Sequence, residues 1–213
     1  MADNYLEKKY SEVFGGGSKT VVKHVNPTLD SLLLRNRSHR GYSQLYKVER
    51  GQLEKIVAVN TRIPSARNQQ VLRYRLVTAD EADKVLPHIR LGGALPELHL
   101  PAEGEEPRAF IVVCTSAPET RYVDMDLGIS LQSMALKAVE MGLNSVIICA
   151  FDKAAVKEAL DLQMEPLSIL AVGKGTDSIQ LLSIKEDADH AYYRKDGIHY
   201  VPKVSLEDLI ISS

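Results

Sequence analysis

Phe110-Ile111-Val112-Val113-Cys114, the stretch from Tyr122 to Met141, and Ser145-Val146-Ile147-Ile148-Cys149 together decide the fold of this chain. The two short runs are apolar and rich in β-branched residues, which predicts buried strands. Between them Val123, Leu127, Leu131, Met134, Ala138 and Met141 fall at three- and four-residue steps. That spacing predicts one long helix with a single apolar face. Asp124 and Asp126 are assigned to its first turn, where the helix dipole favours carboxylates, and Gly142 ends it. Met125 and Met134 read as core filler.

Working outward toward the C-terminus, Asp152 is a helix cap followed by apolar Val156, Ala159 and Leu160. Pro166 to Val172 reads as a third buried strand that closes at Gly173-Lys174-Gly175. Tyr192 to Gly197 resembles a hairpin turn, and Tyr200-Val201-Pro202-Lys203 leads into a short helix, Leu206 to Ile210. Toward the N-terminus, Leu72, Tyr74 and Leu76 alternate with Arg73 and Arg75, which predicts a strand over 71–78. Before it lies a polar turn, Ile63 to Gln70, whose Pro64 stops a helix running from about Gly51 to Thr61. Another short helix starts near Thr28 and Asp30 and ends in Leu32-Leu33-Leu34.

Residues 3–14 also read as a helix, broken by Gly15-Gly16-Gly17-Ser18. We therefore expect an N-terminal helical arm over 1–27 and one domain over 28–213. Gly15 to Thr20 is a poor phosphate-loop match, because Ser18 precedes Lys19 and no strand leads in. Residues 80–107, with prolines at 87, 96, 101 and 107, are long for a simple connection and suggest a lid or a partner-wrapping loop. Strands separated by helices around a long central helix define an α+β class: a sandwich with a mixed, mainly antiparallel central sheet flanked by helices.

With 213 residues, 45% of them hydrophobic, the chain can bury a substantial core. A net charge of −2 gives no global positive field for nucleic acid. Cys114 and Cys149 form neither a disulfide framework nor zinc spacing, which suits a reduced, cytoplasmic protein. No basic segment followed by an apolar stretch reads as a signal peptide, and no apolar run is long enough to span a bilayer.

The polar signal is Arg35-Asn36-Arg37-Ser38-His39-Arg40-Gly41-Tyr42, with three arginines and a hydroxyl inside six positions. Guanidinium forks and a serine hydroxyl match phosphate oxygens. The six histidines are scattered without metal-ligand spacing, so no metal is expected, and no zinc, nucleophile-elbow or dinucleotide fingerprint is present. A phosphate-holding segment without catalytic side chains implies that a bound cofactor carries the chemistry.

Several stretches together resemble the FMN-dependent nitroreductase family. Asn36-Arg37-Ser38-His39-Arg40 is similar to the family's R-R-S-x-R, and Pro64-Ser65-Ala66-Arg67-Asn68-Gln69-Gln70 to its P-S-S-x-N-x-Q-P. The long helix with Asp126, Gly128 and Gln132, followed by Ile147 to Asp152, resembles the family's central segment, and Val201-Pro202-Lys203 its closing basic segment. The resemblance covers roughly residues 28–210. It implies a homodimer with FMN between subunits, NADH or NADPH as electron donor, and a nitroaromatic, quinone or similar acceptor. By that resemblance Arg37, Ser38 and Arg40 would hold the phosphate end and pyrimidine edge of FMN, and Lys203 would add charge. Pro64, Ser65, Asn68 and Gln70 would touch the ring system from the other subunit, and backbone groups of Cys149 and Ala150 would face its reactive N5 side. The chain departs from the family where Asn36 replaces Arg, Val71-Leu72 replace Pro-Trp and Cys149-Ala150 replace Glu-Gly. Those departures motivate the alternative of a flavin-binding or storage protein without efficient nicotinamide turnover.

Overall fold

Strands β2 (Phe110–Thr115) and β4 (Glu165–Gly173) are the two inner strands of a four-stranded sheet, and their sequences explain why. Every residue of β2 is buried, and successive side chains point to opposite faces. Ile111 and Val113 enter one core, and Phe110, Val112 and Cys114 enter the other. In β4, Leu170 and Val172 join the first core, whereas Ile169 and Ala171 join the second. A strand that feeds two cores has no polar face, which is why these runs are uninterrupted in sequence. Strands β1 (Leu72–Val77) and β3 (Asn144–Ile148) complete the sheet in the order β1-β2-β4-β3, every pairing antiparallel. The computed structural model describes residues 27–93 and 95–211. The helix and glycine break expected over residues 3–18 therefore lie outside the described residues.

Helices α1 (Leu29–Arg35), α2 (Arg50–Val57) and α3 (Arg121–Glu140) precede or cross the sheet, and α4 (Lys153–Ala159) follows β3. The first core lies between the sheet and α2 and α3, with Leu53, Ile56, Leu131, Met134 and Ala138 buried in it. Each large aliphatic side chain taken from water contributes about 1.5–3 kcal/mol. Thr120 caps α3 by accepting from the Val123 N–H, and Asp152 caps α4 by accepting from the Ala155 N–H. The boundaries match the expected spans within two residues, except that α2 ends at Val57 and the rest of its expected span, Ala58–Thr61, is a tighter 3-10 turn; of the two methionines read as core filler, Met134 is fully buried but Met125 is exposed.

The opposite core holds Val156 and Leu160 together with Ala82, Val85 and Tyr42. Residues 82–91, expected to be part of a lid, are thus built into this face through two single-turn helices at Ala82–Lys84 and Leu86–His88. Their Ile89 forms a bridge with Phe151.

A second, smaller sheet comprises β5 (Ser178–Ile184), β6 (Tyr193–Lys195) and β7 (Ile198–Val204) in the order β5-β7-β6. Here β5 and β7 run parallel, which makes the whole fold mixed. The β6–β7 hairpin turns on Asp196 and Gly197, at φ 51° and 76°. Two successive left-handed residues form the tight loop whose twist suits a hairpin. Strand β5 was not anticipated from sequence: none of its residues is buried, so it lacks the apolar run that marks the inner strands. The chain closes with helix α5 (Leu206–Leu209), capped by Ser205.

Candidate functional site

Asn36 ends α1 by donating its backbone N–H to Leu32 O, and the chain then runs extended beside the outer edge of β3. Ser38 bridges Ser145 in parallel, and the His39 N–H donates to Ser145 O at 3.2 Å. This path lays Arg37 and Ser38 beside Gln132 of α3 and Lys203 of β7. Together with Asn36 they line a concavity of about 220 Å³ with no carboxylate among its lining residues. Arg37 donates through Nη2 to Leu33 O at 2.7 Å, but its Nε is buried with no partner among the described residues. Burial pulls the Arg37 guanidinium below its ordinary value. An orphaned N–H is an unusual feature, and here it stands beside a second cation and a hydroxyl. That donor set fits a phosphate.

Arg40 is held differently. Its Nη1 donates to Ser38 O at 3.2 Å and lies 3.4 Å from His199 Nε2, and its guanidinium sits 4.9 Å from the centre of the Tyr192 ring. It does not line the concavity that holds Arg37, Ser38 and Lys203. Beneath it, Asp177 accepts from the backbone N–H groups of Arg40 (2.6 Å) and Gly41 (3.0 Å) and from Arg194 Nη2 (2.5 Å). Burial alone would raise the Asp177 pKa. The N–H donors of Gly41 and Arg40, with the Arg194 charge, outweigh burial and hold it below the ordinary carboxylate value.

The turn at Pro64–Gln70 forms a second group. Arg67, Asn68 and Gln70 all have positive φ, at 52°, 55° and 48°. Each such non-glycine residue costs about 1–3 kcal/mol unless its surroundings impose it. The imposing group is Asp126, buried in α3. Its Oδ2 accepts from Ser65 Oγ at 2.6 Å and its Oδ1 from the Ala66 N–H at 2.7 Å. Ser65 Oγ in turn accepts from the Gln70 N–H at 3.0 Å, and Gln70 Nε2 donates to Asn68 Oδ1 at 3.0 Å. Asp126 was expected to serve the helix dipole. It instead sits beyond the first turn and anchors a loop that is distant in sequence.

Pro64, Ser65 and Gln70 line a cavity of about 720 Å³ together with Asp126, Tyr74 and Ser130. Ser130 Oγ donates to Asn60 Oδ1 at 2.6 Å, so the Tyr74 hydroxyl, 2.9 Å away, must donate to Ser130. Burial raises the Tyr74 pKa, which keeps that phenol protonated.

Cys149 and Ala150 follow β3 and are exposed rather than buried in a strand. They line a cavity of about 570 Å³ with His88, Arg90 and Asp152. The Ala150 carbonyl accepts from the Arg90 N–H at 2.9 Å. The ten residues anticipated from sequence thus fall into groups. Arg37, Ser38 and Lys203 meet; Pro64, Ser65, Asn68 and Gln70 meet; Cys149 adjoins Ala150; and Arg40 stands apart. The three cavities share no lining residue. Sequence reasoning missed Asp126 as an anchor, and Asp177, His39, His199 and Arg194 altogether. The only available signal was that several arginines need a carboxylate, and Asp177 lies 137 positions from Arg40.

An α+β sandwich with an unpaired cationic cradle beside its edge strand defines the class of protein. Comparison with known proteins shows what the chain is similar to. The model of the nitroreductase family matches residues 105–174, from just before β2 to just past β4. A nitroreductase family protein from Clostridium difficile 630 is 27% identical, with a TM-score of 0.54 over 68% of this chain and 83% of its own. The FMN and NADPH-dependent nitroreductase NfnB from Sphigopyxis sp. strain HMH is 21% identical, with a TM-score of 0.58 over 70% of this chain and 89% of its own. A chain from Exiguobacterium sibiricum 255-15, solved in complex with FMN, is 17% identical, with a TM-score of 0.59 over 71% and 90%. No curated protein matches significantly. The resemblance read from the sequence motifs is borne out: the fold is the nitroreductase fold, and the central third of the chain carries the family signature. Among the described residues no helix is long and apolar enough to cross a membrane.

Proposed function

We propose that this chain is an FMN-dependent NAD(P)H oxidoreductase of nitroreductase type that works as a cytoplasmic homodimer. The observation that carries the reading is the concavity lined by Arg37, Ser38 and Lys203, which has no carboxylate among its described lining residues. Arg37 and Lys203 would neutralise the FMN phosphate, and the Ser38 hydroxyl would donate to it. Pro64, Ser65, Asn68 and Gln70, fixed by Asp126, would meet the ring system from a second copy. That assignment agrees with their lining a different cavity from Arg37 in a single chain. Backbone groups of Cys149 and Ala150 would face the reactive side of the ring. Arg40 would act on the cofactor through the segment it stiffens. When bound, FMN supplies hydride transfer from NADH or NADPH to a nitroaromatic, quinone or similar acceptor. The protein's part is to bind, orient and set the electrostatics, and no side chain of this chain is assigned a covalent or acid–base role.

The test is the visible spectrum of the purified protein with added FMN, followed by NADPH and then NADH without oxygen. Retained flavin that bleaches with a donor is the expected result. Flavin that binds but does not bleach would replace this reading with a flavin-storing protein, for which the Cys149-Ala150 departure is the motive. A protein that takes up no FMN would overturn both.

A further inference from the structure

The polar junction between residues 39–42 and the small sheet is not used by the reading above, and it holds three further orphaned buried nitrogens. His39 and His199 are 7% and 3% exposed, and among the described residues the Nδ1 of each is buried without a hydrogen-bond partner, as is Arg194 Nε. The surrounding bonds fix where the ring protons lie. Asn144 Oδ1 accepts from the Gly175 N–H at 3.0 Å, so the Asn144 amide nitrogen is the atom facing His39 Nε2 at 3.1 Å. An amide nitrogen only donates, so His39 Nε2 must be bare and the proton sits on Nδ1, which lies 3.8 Å from Asp177 Oδ2. The same logic holds for His199, whose Nε2 faces Arg40 Nη1, a group that can only donate. Both imidazoles are therefore neutral acceptors, each at the meeting of separate elements. Protonation at Nε2 would set N–H against N–H in both places.

These rings tie the small sheet to the cradle. His39 adjoins Ser38 in sequence. His199 lies on β7 two and four positions before Val201 and Lys203, so all three share a strand face, and the latter two line the cradle. Gly175 packs so closely that a Cβ there would meet the His39 ring at 2.1 Å, which leaves the ring no room to turn away. We propose that His39 and His199 form a pH-operated latch that holds β7, and with it Lys203, against the Arg37–Ser38 cradle, so that acidification frees the small sheet and releases a phosphate-bearing ligand. The ligand half rests on the flavin reading; the latch itself does not.

The charged groups around the rings set the direction. His39 faces Asp177 from the β4–β5 connection and Arg37 and Arg40 from its own segment, and β3 presents only the Asn144 amide. His199 faces Arg40, Arg194 from β6, and Asp177, with the Tyr192 ring 5.0 Å away. Burial, the largest influence, lowers both imidazoles below their ordinary value; Asp177 pulls the other way, more strongly than either arginine at His39 and less strongly than Arg40 and Arg194 at His199. A folded state that disfavours the protonated ring binds fewer protons than the unfolded chain. Its stability is thus present above the ordinary histidine value of 6.5 and is lost as pH falls below it.

The experiment combines ring ¹⁵N shifts, amide hydrogen-exchange protection and FMN titration at about pH 7.5 and about pH 5.5, on either side of the ordinary histidine pKa. The proposal expects both rings to carry their proton on Nδ1 at the higher pH. At the lower pH the protection factors over 193–204 fall roughly tenfold and the Kd for FMN rises by a similar factor, because pH 5.5 lies about one unit below the ordinary histidine value. A double variant, His39→Gln with His199→Gln, places an amide oxygen as a proton-independent acceptor and should remove the pH dependence of both readouts. A proton on Nε2 of either ring, protection that does not change with pH, or a double variant that keeps the dependence would each overturn the latch. If the double variant does not fold, the tautomers and protection factors of the natural chain decide. Failure to bind FMN at either pH would sink the flavin reading and leave the latch to be judged by exchange alone.

Discussion

Asp126 and Asp177 do similar work in two different settings. Each is a buried carboxylate that holds a polar segment far away in sequence, Asp126 through one backbone N–H and a serine hydroxyl, Asp177 through two backbone N–H groups. Asp126 stands on α3, against the main core, and steadies one strained turn that water can reach. Asp177 stands on a connection and gathers the 39–42 segment, β6 and His39 at once, with Tyr42 of that segment reaching into the second core. A carboxylate on a packed helix can fail locally. A carboxylate that is itself the joint cannot fail without separating the pieces it joins.

The largest effect is therefore expected at Asp177. Asp177→Ala leaves two backbone N–H groups and a partly buried guanidinium unmatched, and should lower unfolding stability by about 3–5 kcal/mol, read as a shift of the urea midpoint at unchanged slope. Its contribution is fully present above the ordinary aspartate value of 3.8 and fades as pH falls through the depressed folded value. The gap between variant and natural chain should accordingly shrink in acid. A loss at neutral pH no larger than that of Asp126→Ala would break the contrast.

Next comes the cradle. Arg37→Ala should weaken FMN binding by about 1.5–3 kcal/mol through a lost charge-assisted bond, with little change in the urea midpoint. From sequence alone, Arg40→Ala carries the same expectation for FMN. Its contacts with His199 and Tyr192 instead predict that its loss appears in stability and in protection of β6–β7 as well. Isothermal titration beside denaturation separates the two arginines, and identical profiles would erase the distinction.

Asp126→Ala should cost about 2 kcal/mol, because the freed Ser65 hydroxyl and Ala66 N–H can turn to solvent. Its mark should be a blurred turn, visible as broadened amide resonances over 65–70. The smallest effect is expected at exposed Ser38, where Ala should weaken FMN by roughly 1 kcal/mol. A remote surface serine changed to Ala serves as the control.

Most of the central layer was legible before any coordinates. Phe110–Cys114 is apolar because the inner strands are covered on both faces, β3 sends Val146 and Ile148 into one core while Ile147 stays exposed, and Leu131, Met134 and Ala138 keep helical spacing because one face of α3 meets that sheet. Local chemistry also placed the caps at Thr28 and Asp152. Strand β5 was not legible, because a half-exposed strand carries little apolar signal, and the inward packing of 82–91 was hidden among prolines and short turns. For the candidate site, the motif residues were visible as types, but their grouping was not. Nothing local separates Arg37, which faces an open concavity, from Arg40, which is turned onto an imidazole.

The periodicities, and through them most of the elements, the α+β class and the stretches suited to holding a phosphate, are written in the linear order of residues. Those properties depend on neighbours a few positions apart. Which carboxylate anchors which turn, which arginine keeps an N–H unpartnered among the described residues, and which nitrogen of His39 and His199 carries the proton arise when the chain is folded. Each of those is a match between groups brought together by long loop closures, and the chain's local pattern holds no record of it.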